Sequence, residues 1–209
     1  QNDELVILGT TGSINFPTTN GAYQEFFNGG SIITYEGALH FPNGVDMFLT
    51  CLNRDGDSLI ASTFIGGTDN DGLNFRNSYG NSYSTLYNGN DSLYYNYGDC
   101  ARGEVITDSH NNIYVGSCTF SSDFPTTTGA FQDTLRGRQE GVVFKIDHSL
   151  SSLLFSSFIG GTNDDAVYSI DIDNNDRVYV CGGTNSNNYP ITSGAYDTSY
   201  NRGRADGFL

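Results

Sequence analysis

The residues best suited to chemistry in this sequence are carboxylates in a turn that follows an alternating segment. Asp171, Asp173 and Asp176 occupy the stretch D-I-D-N-N-D. Calcium is bound in proteins by carboxylate and carbonyl oxygens, so this turn is a candidate calcium site. The stretch lacks the glycine and the distant glutamate of an EF-hand loop, and Asp and Asn also cap ordinary hairpin turns. Two interpretations therefore stay open, a calcium loop and a capped hairpin, and the pattern favours the hairpin.

A second set of carboxylates directly follows the two G-G-T motifs of the sequence. Acidic side chains can bind a cation or act as general acids and bases. They could form a cation site, or they could serve a Ca²⁺-dependent polysaccharide lyase or hydrolase together with tyrosines of a central channel. The cation site would use Asp69, Asp71, Asp164 and Asp165, and the enzyme would use Asp164, Asp165, Asp173 and Asp176.

Neither the histidines nor the cysteines form a familiar catalytic or zinc-binding pattern. The sequence has three histidines and four cysteines, but it contains no H-E-x-x-H, G-x-S-x-G or C-x-x-C segment. We therefore expect no catalytic residues. Cys51 or Cys118 could form a disulfide with Cys100 in an oxidising compartment, or these thiols could stay free and buried.

The most unusual segment is a tyrosine-rich insert at about residues 70–98, where tyrosines alternate with Asn, Ser and Gly and almost no charge. Tyrosine provides rigid amphipathic contact area and its neighbours provide adaptable hydrogen bonds, so this composition is typical of loops that bind a protein or a glycan. The alternative is a loop folded back over the protein or a low-complexity segment. The candidate binding residues are Tyr79, Tyr83, Tyr87, Tyr94, Tyr95 and Tyr97.

The composition excludes several classes of partner and of fold. Nine Lys and Arg against 24 Asp and Glu give a net charge of −15, which is repelled by phosphate backbones, so we expect no nucleic-acid partner. No apolar run approaches the ~20 residues that cross a bilayer, so we expect no direct membrane insertion. Glycine accounts for 26 of the 209 residues, and strong helix formers are scarce. This predicts an all-β protein rich in turns.

An internal repeat must position all of these groups. The motif T-x-S-x-x-[FY]-P-x-T-x-G-A-[FY] occurs three times, and the motif S-[ST]-F-I-G-G-T occurs twice. Proline fixes φ and ends strand pairing, and the aromatic residue before it can bury against a neighbouring blade. We therefore expect structural corners, rather than ligand sites, at Phe16 and Pro17, at Phe124 and Pro125, and at Tyr189 and Pro190.

Each repeat is predicted to contain four short antiparallel strands, which we label a to d. Strands a are predicted at 46–52, 140–146 and 206–209, strands b at 58–65 and 152–159, strands c at 104–107 and 166–172, and strands d at 5–11, 113–119 and 178–184. Strand c at 166–172 alternates with period two. Repeats of four antiparallel strands describe the blades of a β-propeller.

We therefore predict that residues 1–209 are part of a single β-propeller domain. A strand d at 5–11 precedes one blade at 46–119, a second blade at 140–184 and the start of the next at 206–209. Propellers close with about four to eight blades, so we expect these two and a half blades to be a fragment of a larger ring. Two inserts, at about 28–42 and 70–98, interrupt the repeat, and the spacing aligns Asp99 with Asp164.

The order of these motifs resembles the SBBP repeats, β-propeller repeats of large secreted and cell-surface bacterial proteins. The match involves Asp46, Phe48, Gly66, Gly67, Gly160, Gly161, the segments 124–127, 129–132 and 178–184, and Asp164, Asp165 and Ala166. The resemblance implies a propeller blade, an extracellular or outer-membrane-associated location and no catalytic residues. It also implies a Bacteroidota-like source with multidomain adhesins.

The first functional hypothesis is a non-catalytic binding or scaffold propeller, secreted or held at a bacterial surface. Its repeated framework would present the inserts at 28–42 and 70–98 to a protein or glycan, in adhesion, gliding motility or secretion. The second is the Ca²⁺-dependent polysaccharide-active enzyme described above. The third is an architectural subunit that packs within a larger secretion or motility assembly.

Overall fold

The computed structural model describes residues 4–35, 39–74, 101–201, 203 and 205–209, and these residues form strands and turns without a helix. No membrane-spanning helix therefore occurs in the described residues. The strands in this part of the chain are β1 (Leu5–Thr11), β2 (Ile33–Tyr35), β3 (Leu39–Phe41), β4 (Asp46–Leu52), β5 (Leu59–Ile65), β6 (Gly103–Thr107), β7 (Ile113–Thr119), β8 (Glu140–Ile146), β9 (Leu153–Ile159), β10 (Asp165–Ile172), β11 (Val178–Thr184) and β12 (Asp206–Phe208).

Within the described residues, the strands form three antiparallel sheets and one separate hairpin. The first sheet has the order β1-β4-β5, the second β6-β7-β8-β9 and the third β10-β11-β12, while β2 pairs with β3. Antiparallel sheets of three and four strands that repeat along the chain are the architecture of β-propeller blades, as the sequence predicts. All ten predicted strands are present within one residue of their expected bounds. The hairpin β2-β3 was not predicted, because its three-residue strands lie in an insert that the repeat does not contain.

The sheets group the strands differently from the predicted blades. Strands c and d of one repeat pair with strands a and b of the next, so the second sheet covers 103–159. The predicted blades at 46–119 and 140–184 are therefore each divided between two sheets. A repeating sequence fixes the period of the blades but not the point at which one sheet ends. That point is the G-G-T segment, which carries the chain from β5 or β9 to the next sheet.

The hairpin turns within the sheets share one design. In the turn between β10 and β11, the Asp173 carboxylate accepts hydrogen bonds from the N–H groups of Asn175 and Arg177, at 2.8 and 3.0 Å. Asp176 then takes a left-handed conformation with φ of 57°. Asp108, Asp147 and Asn53 open the other turns in the same way, so the Asp and Asn positions of the repeat are used to cap hairpins.

Neighbouring sheets pack through their apolar faces. The largest hydrophobic cluster combines side chains of β4 and β5 with side chains of β7, β8 and β9. Tyr23, which lies in the first proline corner, donates its backbone N–H to the Leu150 carbonyl of the next sheet at 2.7 Å. In the same manner, β10 packs on β7, and Val167 and Ile170 join a second cluster with Tyr114 and Val143.

Candidate functional site

The tyrosine-rich insert leaves the fold at the start of the second sheet. Asp71 forms an isolated bridge with Thr119, and Leu73 forms another with Ala101. The N–H of Arg102 donates to the Gly72 carbonyl at 2.9 Å, directly before β6 begins. Residues 73 and 101 are therefore neighbours, and the segment between them starts and ends at one place on the sheet.

The third sheet shows where in the repeat the insert lies. Its first strand, β10, has a β-bulge between Val167 and Ser169, which leaves Tyr168 outside the ladder. The period-two alternation predicted for this strand is therefore wrong at the bulge, and Val167 and Ile170 are buried in the same cluster. Gly103 pairs with Ser117 in the second sheet as Val167 pairs with Gly182 in the third. The long insert therefore ends before the counterpart of Val167 and lies on the N-terminal side of the bulge position.

Asp71, and not Asp99, is the counterpart of Asp165. Each carboxylate accepts a hydrogen bond from the second glycine of its G-G-T motif, at 2.9 and 2.8 Å, and from a serine hydroxyl, at 3.1 and 2.9 Å. The backbone carbonyl before each of them also accepts a matching bond, so Asn70 corresponds to Asp164. The alignment of Asp99 with Asp164 is therefore wrong, and Asp99 itself lies outside the described residues.

The root of this insert is fixed by buried polar contacts to two other parts of the fold. The Asn74 carbonyl oxygen Oδ1 accepts a hydrogen bond from Gln139 Nε2 at 2.8 Å, and both side chains are fully buried. The Asn74 amide also reaches the Tyr168 hydroxyl at 3.5 Å. The Arg102 guanidinium lies 4.9 Å from the centre of the Tyr168 ring. The insert thus starts from a rigid base that involves the second and third sheets.

The structure brings the two inserts together, which the sequence did not predict. Ile33 and Leu73 are 2 % exposed and share a small hydrophobic cluster with Val45, against which Phe41 and Ala101 pack. The hairpin insert supplies Ile33 and Phe41, and the root of the tyrosine-rich insert supplies Leu73 and Ala101. The repeated motifs do not contain Ile33 or Leu73, so the sequence carries no signal that these two side chains meet.

The six candidate binding tyrosines lie outside the described residues, so their role stays a prediction. They are Tyr79, Tyr83, Tyr87, Tyr94, Tyr95 and Tyr97. Cys100 lies there as well. Cys51 and Cys118 are buried free thiols, which agrees with the second of the two alternatives for the cysteines.

The three aspartates of the candidate calcium turn are not brought together among the described residues. The Asp173 carboxylate caps its own hairpin and forms an ion pair with Arg177 at 2.6 Å. Asp176 instead approaches Asp108 and His110 of the neighbouring turn, and one ligand atom of each lies within 4.8 Å of the others. The Asp108 carboxylate already has a cationic partner in Lys145 Nζ, at 3.0 Å.

The four aspartates considered for an enzyme lie at opposite ends of one strand. Asp164 and Asp165 are at the start of β10, whereas Asp173 and Asp176 are in the turn after it. Eight residues of extended chain span about 26 Å. These carboxylates therefore do not form one active site, and Asp164 pairs with Arg138 at 3.3 Å.

A pair of buried carboxyl groups lies beside the first glycine of each G-G-T motif. Asp46 and Asp71 form one pair and Glu140 and Asp165 the other, and all four side chains are fully buried. A Cβ atom on the glycine between them, Gly66 or Gly160, would lie 2.5 or 2.7 Å from a carboxylate oxygen. The glycine pair of the G-G-T motif is visible in the sequence. The fold was needed to identify which carboxyl groups lie beside it.

Burial changes the acidity of these groups. Desolvation raises the pKa of Asp46 to about 6 and that of Glu140 to about 7, although backbone N–H groups that bind each carboxylate oppose the change. Desolvation also raises the pKa of Asp71 and of Asp165, whose hydroxyl and N–H partners again act in the opposite direction. The pairs are enclosed by the corners and the G-G-T segments, which is typical of a structural role.

The three proline corners lie in related surroundings. We call residues 16–24 corner 1, residues 124–132 corner 2 and residues 189–197 corner 3. In corner 2 the ring of Phe124, which is 3 % exposed, packs between Phe144 and Phe158. Phe16 packs on Phe48 in corner 1, and Tyr189 stacks on Phe208 in corner 3.

The fold and this repeated framework define a β-propeller repeat protein. Residues 155–190 match the family model of SBBP, described as a beta-propeller repeat. The matched stretch extends from β9 through β10 and β11 to the aromatic-proline pair of corner 3. The chain therefore carries an SBBP β-propeller repeat, as the sequence motifs indicated. No curated protein matches the chain.

Proposed function

We propose that this protein is a non-catalytic binding propeller whose two inserts form one recognition surface for a protein or a glycan. The observation that carries the proposal is the cluster of Ile33, Val45 and Leu73, which joins the hairpin insert to the root of the tyrosine-rich insert. Binding residues are commonly placed on loops that a rigid scaffold positions. Here the repeated sheets are the scaffold, and both inserts depart from the same part of it.

The contacts at the root support binding more than a simple spacer role. An unconstrained linker would not need buried hydrogen bonds at its root, whereas this insert starts from hydrogen bonds among Asn74, Gln139 and Tyr168. A binding loop gains affinity when its ends are held, because less conformational entropy is lost when the partner is bound. The composition of residues 75–100, rich in Tyr, Asn, Ser and Gly, suits contact with sugars or with a protein surface.

The proposal includes a location outside the cell or at a bacterial surface, where such partners occur. Its support is the resemblance to repeats of secreted proteins, together with the strongly acidic composition, which suits a soluble, exposed surface.

The proposal is tested by binding to a glycan array and to a panel of purified extracellular matrix proteins. One variant replaces residues 75–100 by a short Gly-Ser linker, and another changes the six tyrosines of the insert to serine at constant length. Because Leu73 and Ala101 already lie together, we expect both variants to keep the β-sheet circular dichroism and the melting temperature. We expect both to lose binding.

The control is Tyr196→Ser, which removes a fully exposed tyrosine of corner 3. This variant should bind as the unmodified protein does. Unchanged binding after removal of residues 75–100 would contradict the proposal. If the unmodified protein bound nothing on either panel, the purely architectural role would be favoured instead.

A further inference from the structure

A phenylalanine beside the first G-G-T segment is exposed to solvent. The Phe26 side chain is 79 % exposed. Gln24 fixes the backbone here, because Gln24 Nε2 donates to the Phe26 carbonyl at 3.0 Å and Gln24 Oε1 accepts the Gly66 N–H at 3.0 Å. In the second repeat the equivalent residue is Thr134, whose carbonyl accepts the Gln132 amide at 2.9 Å. A threonine is therefore sufficient for the framework, and the phenylalanine is particular to the first repeat.

The exposure of this position is a property of the repeat. Phe26 follows corner 1, which packs on the four-stranded second sheet through Tyr23. Thr134 follows corner 2, whose Phe124 packs among side chains of β4 and β5 in the first sheet. One position thus has its following sheet beside it and the other has its preceding sheet, and both side chains are exposed. Neither neighbouring sheet covers this position.

The hairpin insert adds a second exposed apolar side chain beside the same segment. Ile32 is 56 % exposed, whereas the next residue, Ile33, is 2 % exposed. The N–H of Ser31 donates to the Asp69 carboxylate at 3.3 Å, and the Ser31 carbonyl accepts the Asn70 amide at 3.1 Å. Ile32 is therefore presented by a fixed backbone that lies against the residues directly after the G-G-T segment.

The polar side chains around the two G-G-T segments differ in charge. The threonine N–H of the first segment donates to the Asp123 carboxylate at 2.9 Å, whereas that of the second donates to the side-chain carbonyl of Asn188 at 3.0 Å. Asp69 after the first segment corresponds to Asn163 after the second, because the N–H of each donates to a serine hydroxyl at 2.9 Å. Two carboxylates at the first segment thus take the place of two amides at the second.

No lysine or arginine pairs with these two carboxylates in the described part of the chain. Asp69 and Asp123 form no ion pair there, whereas at the second segment the Arg138 guanidinium pairs with Asp164 at 3.3 Å. The first repeat has no arginine at the corresponding place, because residues 1–53 contain neither lysine nor arginine. The first segment therefore combines exposed apolar groups with uncompensated negative charge.

This combination suits a partner that supplies both an apolar contact and positive charge. Protein interfaces place apolar and aromatic side chains at the centre and charged groups at the rim, and opposite charges across the rim steer the partner into place. A glycan fits less well, because Ile32 has no aromatic face for a sugar ring and the carboxylates repel acidic polysaccharides.

We propose that this surface docks a protein partner through an apolar side chain flanked by lysine or arginine. The surface consists of Phe26, Ile32, Asp69 and Asp123. The inference rests on the proposed function and narrows its partner to a protein with a basic surface. Ile33 and Leu73 join the surface to the root of the tyrosine-rich insert, so one partner can contact both inserts.

The test selects random peptides displayed on phage against the full 209-residue protein and measures the enriched peptides by fluorescence anisotropy. We expect peptides that carry lysine or arginine next to an aromatic or aliphatic residue. Their affinity should fall at least ~10-fold when NaCl is raised from about 0.05 to about 0.5 M, because salt screens the attraction between charges. Peptides in which the basic residues are changed to glutamate should not bind.

The protein variants take their replacement residues from the second repeat, where the same framework accommodates them. Phe26→Thr should weaken peptide binding at least ~10-fold, as expected for a side chain at the centre of an interface. The double variant Asp69→Asn and Asp123→Asn should bind more weakly and lose most of the salt dependence. Asp133→Asn and Leu154→Thr, at exposed positions elsewhere, control for charge and for apolar area and should bind as the unmodified protein does.

The outcomes separate this inference from the proposed function. The variant that lacks residues 75–100 should keep peptide binding. Peptides that this variant loses but Phe26→Thr binds normally would overturn the inference and leave the proposed function intact, and so would a selection that yields no peptide with saturable binding. Binding to a glycan array that is lost in Phe26→Thr would assign the surface to a glycan instead. Peptide binding that needs Phe26, together with unchanged partner binding after removal of residues 75–100, would contradict the proposed function alone.

Discussion

At the scale of single residues, the most unusual feature is the burial of carboxyl groups in a protein with a net charge of −15. Asp46 receives backbone hydrogen bonds from Asn28 and Gly29, at 2.7 and 2.8 Å, and Glu140 receives them from Arg136 and Gly137, at 2.6 and 3.0 Å. These bonds fix the connection between a corner and the following strand. They do not fully compensate for the loss of hydration, so both pKa values are raised.

These raised pKa values predict that the protein loses stability as the pH rises from about 4 to about 7. In this window the folded protein holds protons on Asp46 and Glu140 that the unfolded chain, with carboxyl pKa values near 4, has released. The free energy of unfolding therefore falls with increasing pH. Each pKa unit corresponds to about 1.4 kcal/mol, so we expect a total loss of several kcal/mol. Urea denaturation between pH 4.5 and 8 measures it.

Glu140→Gln separates this effect from the general repulsion among negative charges. The substitution preserves the shape of the side chain and removes its titration, so the decrease in stability between pH 4.5 and 8 should become smaller. Asp133→Asn, at an exposed position, removes one charge as well and should leave the decrease unchanged. A free energy of unfolding that rises with pH through this window would contradict the burial argument. Asp108, whose pKa is lowered to about 2, affects stability only in more acidic solution.

At the scale of structural elements, the G-G-T segment is the point where the chain passes from one sheet to the next. The Cβ of an alanine at position 160 would lie 2.7 Å from Asp165 Oδ2 and 2.9 Å from Glu140 Cγ. Gly129, in the turn of corner 2, is different because its φ of 84° is the only restriction and no atom lies within 4 Å of the added Cβ. The same residue type thus has a packing role in one element and a conformational role in another.

We therefore expect Gly160→Ala to destabilise the fold more than Gly129→Ala does. The first substitution forces a buried carboxylate out of its hydrogen bonds and should cost about 2–3 kcal/mol, the upper part of the range for overpacking. The second places alanine in a left-handed conformation and should cost about 1 kcal/mol. Equilibrium denaturation at one pH compares them. If both substitutions lower the free energy of unfolding equally, the structure around Gly160 can accommodate a methyl group without overpacking, which would contradict this prediction.

At the scale of the whole molecule, the two inserts are coupled through a cluster that is separate from the main core. Ile33 and Leu73 are its buried members, and the adjoining backbone is held by the bonds from Asp71 N–H to Val45 O and from Gly72 N–H to Cys118 O, at 3.0 and 2.9 Å. Displacing one insert should therefore loosen the base of the other.

Ile33→Ala is expected to increase hydrogen exchange at the base of the tyrosine-rich insert. Removing the side chain leaves a cavity next to Leu73, so the amide protons of Asp71, Gly72 and Arg102 should exchange faster. The amide protons of β8 should keep their protection, because this strand belongs to the main core. Leu154→Ala, at a side chain that is 48 % exposed, is the control and should change neither set. Unchanged exchange at residues 71–72 in Ile33→Ala would contradict the coupling.

The sequence by itself determined the positions of the strands. The glycines and the proline corners that bound the strands recur at a regular spacing, and strand ends depend on these local residues. Strand β8 was predicted at residues 140–146 and is found there. A strand of eight residues such as β10 could also be located, but its bulge at Tyr168 could not, since a bulge depends on packing against the adjoining sheet.

Only the tertiary structure decided which strands share a sheet, where the tyrosine-rich insert begins and which carboxylates are buried. All three features depend on contacts between residues that are distant in sequence. These contacts decide which strands of consecutive repeats share a sheet, that Asp71 is equivalent to Asp165, and that Ile33 lies close to Leu73. Such contacts are selected by the burial of apolar surface and the pairing of backbone hydrogen bonds across sheets. A repeated motif specifies the strands and turns of each blade. The packing of one sheet on the next decides which side chains of different repeats come together.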